Sequence, residues 1–329
     1  MKTLIIDTDP GNGIPGANVD DAFAIAMALL HPEVELLGIT TVAGNVDVDD
    51  ATSCALQLLE VAGRPDVSVC RGADQPLVSD PALFRAALKA RSADERVSQL
   101  WYGIPYPNSS LHADRRSAVE FLVDTITSNP GEITLVTVGP LTNVAAAIQL
   151  EPDIAGCVQS IVMMAGAVRV PGTTTAATEL NASFDPEATH IVINSGAPIT
   201  LVPLDVTTQI LLTAEELDQL YDAGTPLAEY LSDIAEPWLR YVMERRHLPG
   251  CWLHDPLAVA VVVDPTLVLT EPMYVEVELA SPRFRGQTVG WDPGFPYLLP
   301  PPNPPNVQVC KEVDADRFKA MLMDTLTAL

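Results

Sequence analysis

The sequence predicts an α/β fold, a single domain over residues 1–329 with a mostly parallel central sheet flanked by helices around a Rossmann-like core. Three observations carry that expectation. Apolar, β-branched runs alternate with helical patterns along the first two thirds of the chain. The runs are apolar almost without interruption, as strands covered on both faces must be. No repeat and no linker-like stretch cuts the chain, and hydrophobic residues make up 48% of it, ample for one large core.

In chain order, strands are expected at residues 4–6, 36–42, 67–70, 133–138, 161–164 and 199–202. Between them lie helical patterns at 20–30, 49–61, 117–128, 141–150 and 186–194. Further helices are expected at 214–221, 226–246 and 255–263. After these, YVEVEL alternates as a half-exposed strand, RGQTV and NVQVC look like two more, and residues 314–329 read as a closing helix. PYLLPPPNPPN is expected to be a stiff polyproline-type loop. In such sheets, sites gather outside the carboxyl ends of the strands. Asp7 and Asp9 end the first strand, Asn45 follows the second and Gly139 follows ITLVTV, so these groups should meet at one rim.

The formal charge of −25, from 43 acids against 18 bases, opposes nucleic acid and anionic membrane as partners. It leaves divalent cations and neutral metabolites. No apolar run approaches the roughly 20 residues of a membrane span, and MKTLIIDTDP reads as a first strand rather than a signal peptide. Five scattered cysteines without a C-x-x-C pair argue against disulfides or zinc and for a cytoplasmic location.

The stretch IIDTDPGNGIPGANVDDAFAIA contains G-x-G-x-x-G after an apolar run, the outline of a dinucleotide turn. Asp7, Asp9, Asp20 and Asp21 would surround the diphosphate, however, and Lys2 is the only base before Arg64. Capping of the helix from residue 20 would account for Asp20 and Asp21 but not for Asp7 and Asp9. Clustered carboxylates repel unless a cation joins them, and a hard divalent ion taking about 6–8 oxygen ligands would do so. The D-x-D also matches the start of a haloacid-dehalogenase-type Mg²⁺ phosphatase. Gly11 stands where that pattern has Thr or Val, and no phosphate-binding base can be placed.

DTDPG with the later DDAFAIAMAL resembles the inosine–uridine-preferring nucleoside hydrolase family, whose compact motif is D-x-D-P-G-x-D-D. GITTVAGNV, RGADQPL, VTVGPLTNVAAA, VMMAGAV, ATELNASFDPEA, PLDVT, LHDPLAVA and RGQTV follow in the family's order. The resemblance implies a ribonucleoside hydrolase that releases base and ribose through an oxocarbenium-like transition state. It implies Ca²⁺ held by Asp9, Asp21, Asp255 and the Val138 carbonyl, with Asp9 also the general base toward a metal-bound water. Asp20, Asn45 and Asn181 would hold ribose hydroxyls, Glu179 would reach the 5′ hydroxyl, and Met164 would line the sugar pocket. His254 matches a histidine proposed as the acid for the leaving base. The family also implies a homo-oligomer, a dimer or tetramer.

On the residues alone, Asp255 and Pro256 would be the N-cap and first position of a helix. His254 and Met164 would be ordinary structural residues. A non-catalytic ribose- or nucleoside-binding protein that keeps the cation site is the reading from another class. Two departures from the family stand out. Ten residues separate Asp9 from Asp20, against three in the compact motif, so an insertion shaped by the glycines and Pro15 splits the signature. WYGIPYPNSS replaces a His/Gly-rich loop, and the base side, with Trp238, Tyr241, Arg245 and Trp252 as candidates, does not settle purine against pyrimidine.

Overall fold

Nine strands form one sheet in a computed structural model that describes residues 1–328. The chain runs β1 (Lys2–Thr8), α1 (Asp20–Leu30), β2 (Val34–Thr41), α2 (Val48–Val61), β3 (Ser68–Arg71), α3 (Ala82–Ala93), α4 (Glu95–Ser98), α5 (Ala118–Ser128) and β4 (Ile133–Thr137). It continues α6 (Thr142–Leu150), α7 (Ile154–Cys157), β5 (Ser160–Met163), α8 (Leu180–Phe184), α9 (Pro186–Ile193), β6 (Ile199–Leu201), α10 (Leu204–Thr207), β7 (Leu211–Leu212) and α11 (Ala214–Asp222). The last part holds α12 (Pro226–Arg246), β8 (Cys251–Trp252), α13 (Asp255–Val263), a 3₁₀ turn (Pro265–Leu267), β9 (Val268–Val277), β10 (Thr288–Trp291), β11 (Val307–Val313) and α14 (Ala315–Thr327).

The sheet order is β10-β9-β11-β6-β5-β4-β1-β2-β3. From β3 to β11 every pairing is parallel, while β9 runs antiparallel to β11 and to β10. The expected mostly parallel sheet with helices on its faces is therefore what forms. The 3-2-1-4-5-6 part is the doubly wound order, and its direction of winding reverses between β1 and β4. Both of these strands carry a buried apolar run: Leu4, Ile5 and Ile6 of β1 and Ile133, Leu135 and Val136 of β4. One core cluster packs α1, α12 and α13 over one face, and another packs α5, α6 and α9 over the other.

Besides the short elements α7, α8, α10, β7 and β8, for which no expectation was given, two stretches depart from the sequence expectation. Residues 82–98 form α3 and α4, where no element was expected, because α3 contributes no fully buried residue and its weak apolar stripe does not read as a core helix. The helix after LHDP begins at Asp255 itself, with His254 as the cap residue and no side-chain cap bond. Asp255 is thus the first helical residue rather than the N-cap. PYLLPPPNPPN is a loop, as expected, and joins β10 to β11.

Candidate active site

The switch point between β1 and β4 is where the acids gather. β1 ends in Asp7-Thr8 and Asp9 follows directly, with Asp7 paired in register with Thr137 of β4 and Thr40 of β2. All of Asp7, Asp9, Asp20 and Asp21 are within 1% of complete burial, and Asp255 is 4% exposed. Carboxylate oxygens of Asp20, Asp21 and Asp255 lie within 4.8 Å of one another. That is the spread available to oxygens each about 2.4 Å from one centre, the distance Ca²⁺ prefers. This closest trio contains Asp20 where the resemblance implied Asp9.

Asp9 adjoins the trio. Its backbone N–H donates to Asp21 Oδ1 at 3.1 Å, and its own Oδ2 accepts the Asn45 backbone N–H at 2.6 Å. Asp9 Oδ1 and Asp20 Oδ1 are buried without any hydrogen-bond partner. Such orphaned carboxylate oxygens are costly inside a protein and fit a site that a cation completes. Two glycines leave the room: a Cβ on Gly44 would overlap Asp9 Oδ2, and one on Gly139 would stand 3.1 Å from Asp9 Oδ1.

The remaining oxygens are held in place. Thr8 Oγ1 donates to Asp21 Oδ1 at 2.6 Å, and Asn45 Nδ2 donates to Asp21 Oδ2 at 3.3 Å. Asp20 Oδ2 accepts the backbone N–H groups of His254 at 2.8 Å and Asp255 at 3.3 Å. The acid at the start of α1 therefore ties down the start of α13, and the two positive helix ends face the same carboxylates. Burial, then the charge of its neighbours, pushes the Asp9 and Asp255 carboxyls well above the usual range. The same causes push Asp20 up to about 7. Asp7 is also pushed up to about 7, by burial, against the Asn143 amide and Thr40 hydroxyl that donate to it. Burial raises the Asp21 carboxyl as well, and Asp9, Asp20, Asp21 and Asp255, which resist joint ionisation, are a donor set for a doubly charged ion.

Over this floor opens a cavity of about 270 Å³. Asn45, Val138, Met164, Glu179, Asn181 and Asp255 line its inner part. The structure thus brings Asn45, Asn181, Glu179 and Met164 to one cavity, while Asp20, expected with them, lies beneath it and is not among the lining residues. Glu179 caps α8: its carboxylate accepts the N–H groups of Asn181 at 2.8 Å, Ala182 at 3.0 Å and Gly166 at 2.8 Å. Asn181 Nδ2 donates to the carbonyls of Val138 at 2.8 Å and Met164 at 2.9 Å, leaving the Val138 oxygen one further lone pair. His254 reaches the cavity with its Nδ1 paired to Thr207 Oγ1 at 2.7 Å. Burial, helped by Arg246, pushes its pKa down to about 3, so the imidazole is neutral around pH 7.

The outer part of the cavity holds the base-side candidates. Trp238, on α12, and Trp252, on β8, line it, but Tyr241 is not among the lining residues. It stacks behind Trp238 at 5.2 Å between ring centroids, so its expected substrate contact becomes support for the tryptophan. Arg245 is not among them either; its neighbour Arg246 is.

Sequence reasoning missed the whole wall opposite α12. Phe84, Ala87, Leu88 and Arg91 of α3 face the cavity, and their spacing of i, i+3, i+4 and i+7 is one helical face. That periodicity was present in ALFRAALKAR but shorter than a core helix would show. Asn18, from the inserted segment, also lines the cavity. Asp7 with its partners Thr40 and Asn143 was left without a role; it braces the ends of β1 and β2 beneath the floor.

Comparison with known proteins gives the same picture. A family model described as inosine-uridine preferring nucleoside hydrolase matches residues 4–320. A probable uridine nucleosidase 2 of Arabidopsis thaliana is 37% identical over 99% of this chain and 97% of its own length. The inosine-uridine preferring nucleoside hydrolase of Crithidia fasciculata is 34% identical over the same shares. Among solved structures, a purine-preferring ribonucleoside hydrolase from Gardnerella vaginalis superposes with a TM-score of 0.83 at 36% identity, covering 99% of this chain and 98% of that one. A plant nucleoside hydrolase superposes with a TM-score of 0.86 at 32% identity, covering 100% and 99%.

Proposed function

The chain belongs to the inosine-uridine preferring nucleoside hydrolase family, a family of ribonucleoside hydrolases, and we propose that it cleaves the N-glycosidic bond of ribonucleosides with Ca²⁺ at the acidic floor. The observation that carries this reading is the convergence of Asp9, Asp20, Asp21 and Asp255 with unpartnered buried oxygens beneath a nucleoside-sized cavity.

Asp9, Asp21, Asp255 and the Val138 carbonyl would hold the ion. A bound divalent cation gathers vicinal hydroxyls and lowers the pKa of water. The chain's own residues do the rest. Asp20, Asn45 and Asn181 orient the ribose hydroxyls, Glu179 stands at the 5′ end, and Met164 packs on the sugar. As the bond to the base lengthens, positive charge grows on the ribosyl ring, and the buried carboxylates stabilise that charge more than the neutral substrate. Asp9 takes the proton of the attacking water. His254, neutral and anchored to Thr207, is positioned at the outer end, where the base departs. The carboxylates of the inner cavity favour uncharged nucleosides over nucleotides, because a 5′ phosphate would stand beside Glu179.

Within this reading the protein works in a reducing compartment. Its five cysteines are free, and among the described residues no helix is long and apolar enough to cross a membrane. A homo-oligomer, dimer or tetramer, is part of the same proposal.

Base release from inosine, uridine, cytidine and adenosine tests it. Turnover should be lost on chelation, restored by Ca²⁺, and lowered by about a thousandfold or more in Asp9→Asn. Tight nucleoside binding without turnover across the panel would instead favour a binding protein that keeps the cation site.

A further inference from the structure

The outer cavity contains two arginines in an unusual situation. Arg91 of α3 and Arg246 of α12 both line it, and both lie over the ring of Trp238, at 5.8 Å and 5.4 Å from its centroid. Burial lowers the Arg91 pKa, and the charge of Arg246 adds a little to that. In a chain where acids outnumber bases 43 to 18, an arginine normally finds a carboxylate. Among the ion pairs of the described residues, neither does. The Arg91 Nε is buried with no hydrogen-bond partner. Stacking on Trp238 occupies the guanidinium face and leaves its N–H edge unpaired.

The insertion between Asp9 and Asp20 is built against this arginine. Gly16 has a φ of +79°, and a Cβ there would stand 3.2 Å from Arg91 Cγ and 3.3 Å from its Nε. The loop therefore closes onto the Arg91 stem only because residue 16 is glycine. The cavity is thus electrically two-ended, with clustered carboxylates at the inner end and paired guanidinium groups at the outer end.

That polarity matches the charge separation of glycosidic cleavage. Resting on the hydrolase reading above, we propose that Arg91, with Arg246 beside it, binds the departing base through its donor edge and selects nucleosides of 6-oxopurines. In the reaction the base keeps the electron pair of its bond to C1′, water supplies the hydroxyl that joins C1′, and the proton lost by water returns to the base. One water is added across the bond, and arginine transfers no proton. Its N–H groups meet O6 and N7, the adjacent acceptors of hypoxanthine or guanine, in the bidentate geometry that suits a guanidinium. Negative charge on those atoms grows as the bond breaks, so the contact tightens toward the transition state. Adenine presents an amino group beside N7, and a donor-only guanidinium opposes it.

The test uses the full-length protein with Ca²⁺ and four substrates: inosine, 7-deazainosine, adenosine and 4-nitrophenyl β-D-ribofuranoside. The nitrophenolate leaves without help from hydrogen-bond donors and so reports the sugar end alone. The wild type should favour inosine over adenosine and over 7-deazainosine. Arg91→Ala should lose about 10- to 100-fold in kcat/KM on inosine while nitrophenyl riboside turnover stays within about twofold. Arg91→Lys should recover only part, because a point charge replaces the fork. Equal losses on inosine and the nitrophenyl riboside would make Arg91 a structural support and overturn the proposal. So would an unchanged inosine rate, or a wild type that favours adenosine. A wild type inert toward all four substrates would overturn the hydrolase reading itself, a result distinct from the others.

Discussion

At the scale of single residues, the site depends as much on what is missing as on what is present. Gly44 and Gly139 flank Asp9, and a methyl at Gly44 would occupy the place of a carboxylate oxygen. Gly44→Ala should therefore cost about a hundredfold or more in kcat, since a shift of about 1 Å in a reacting group has that effect. Circular dichroism should meanwhile remain that of a folded protein. Full activity in this variant would show that Asp9 is not held where the reaction needs it. The acids were legible in the sequence because their types and positions flank one loop. Asp7 was visible too, but not its role. Asp7 and Asp9 stand two apart where one strand ends, and only the pairing of β1 with β2 and β4 shows that Asp7 meets Thr40 and Asn143 while Asp9 meets Asn45 and Asp21. Glu179 lines the cavity as matching by residue type expected, but its second task, accepting the N–H groups of Asn181, Ala182 and Gly166, was not visible in the sequence.

At the scale of elements, α1 and α13 were readable because long apolar patterns announce them, and the acids in their first turns sit where helix ends favour them. α3 was not, because a helix lying over a cavity needs only one narrow apolar face. It is held by an edge-to-face contact of Phe84 with Phe184 at 5.3 Å, an ion pair of Arg85 with Asp47 at 3.6 Å and the loop at Gly16. Few buried contacts mean a low cost of local opening. Backbone amides of residues 82–98 should exchange with solvent faster than those of α1 or α13, and a bound nucleoside should slow them by about tenfold or more. Protection of α3 equal to that of α1 in the free protein would contradict this. The antiparallel strands of the final third were seen in the sequence, but β9 pairs on both sides across long separations, so their order could not be read from local pattern.

At the scale of the whole molecule, the composition foretold the class and the sheet supplied the switch point. The order of strands, which alone explains why residues near positions 9, 45, 138 and 255 meet, is a long-range property with no local signature. Buried acids also tie stability to pH. Asp7 and Asp20 titrate near 7 in the fold, against an ordinary value of about 3.9 in an unfolded chain. Between those values the folded state binds more protons, so without a cation stability is full below about pH 4 and is lost as pH rises through about 7. On the proposed function, Ca²⁺ would hold the carboxylates ionised and oppose that loss. The gain in melting temperature on adding Ca²⁺ to chelator-treated protein should therefore grow from about pH 5 to about pH 8. A gain that shrinks over this range would mean that the ion binds elsewhere. The bond from the backbone of His254 to Asp20 spans 234 positions, and it has a consequence for biosynthesis. While a ribosome is still making the middle of the chain, the aspartates near its start have no opposite helix end to anchor them. Catalytic competence should therefore arrive late, after the first five strands have had time to organise, and a polypeptide cut short before α13 should be silent toward nucleosides.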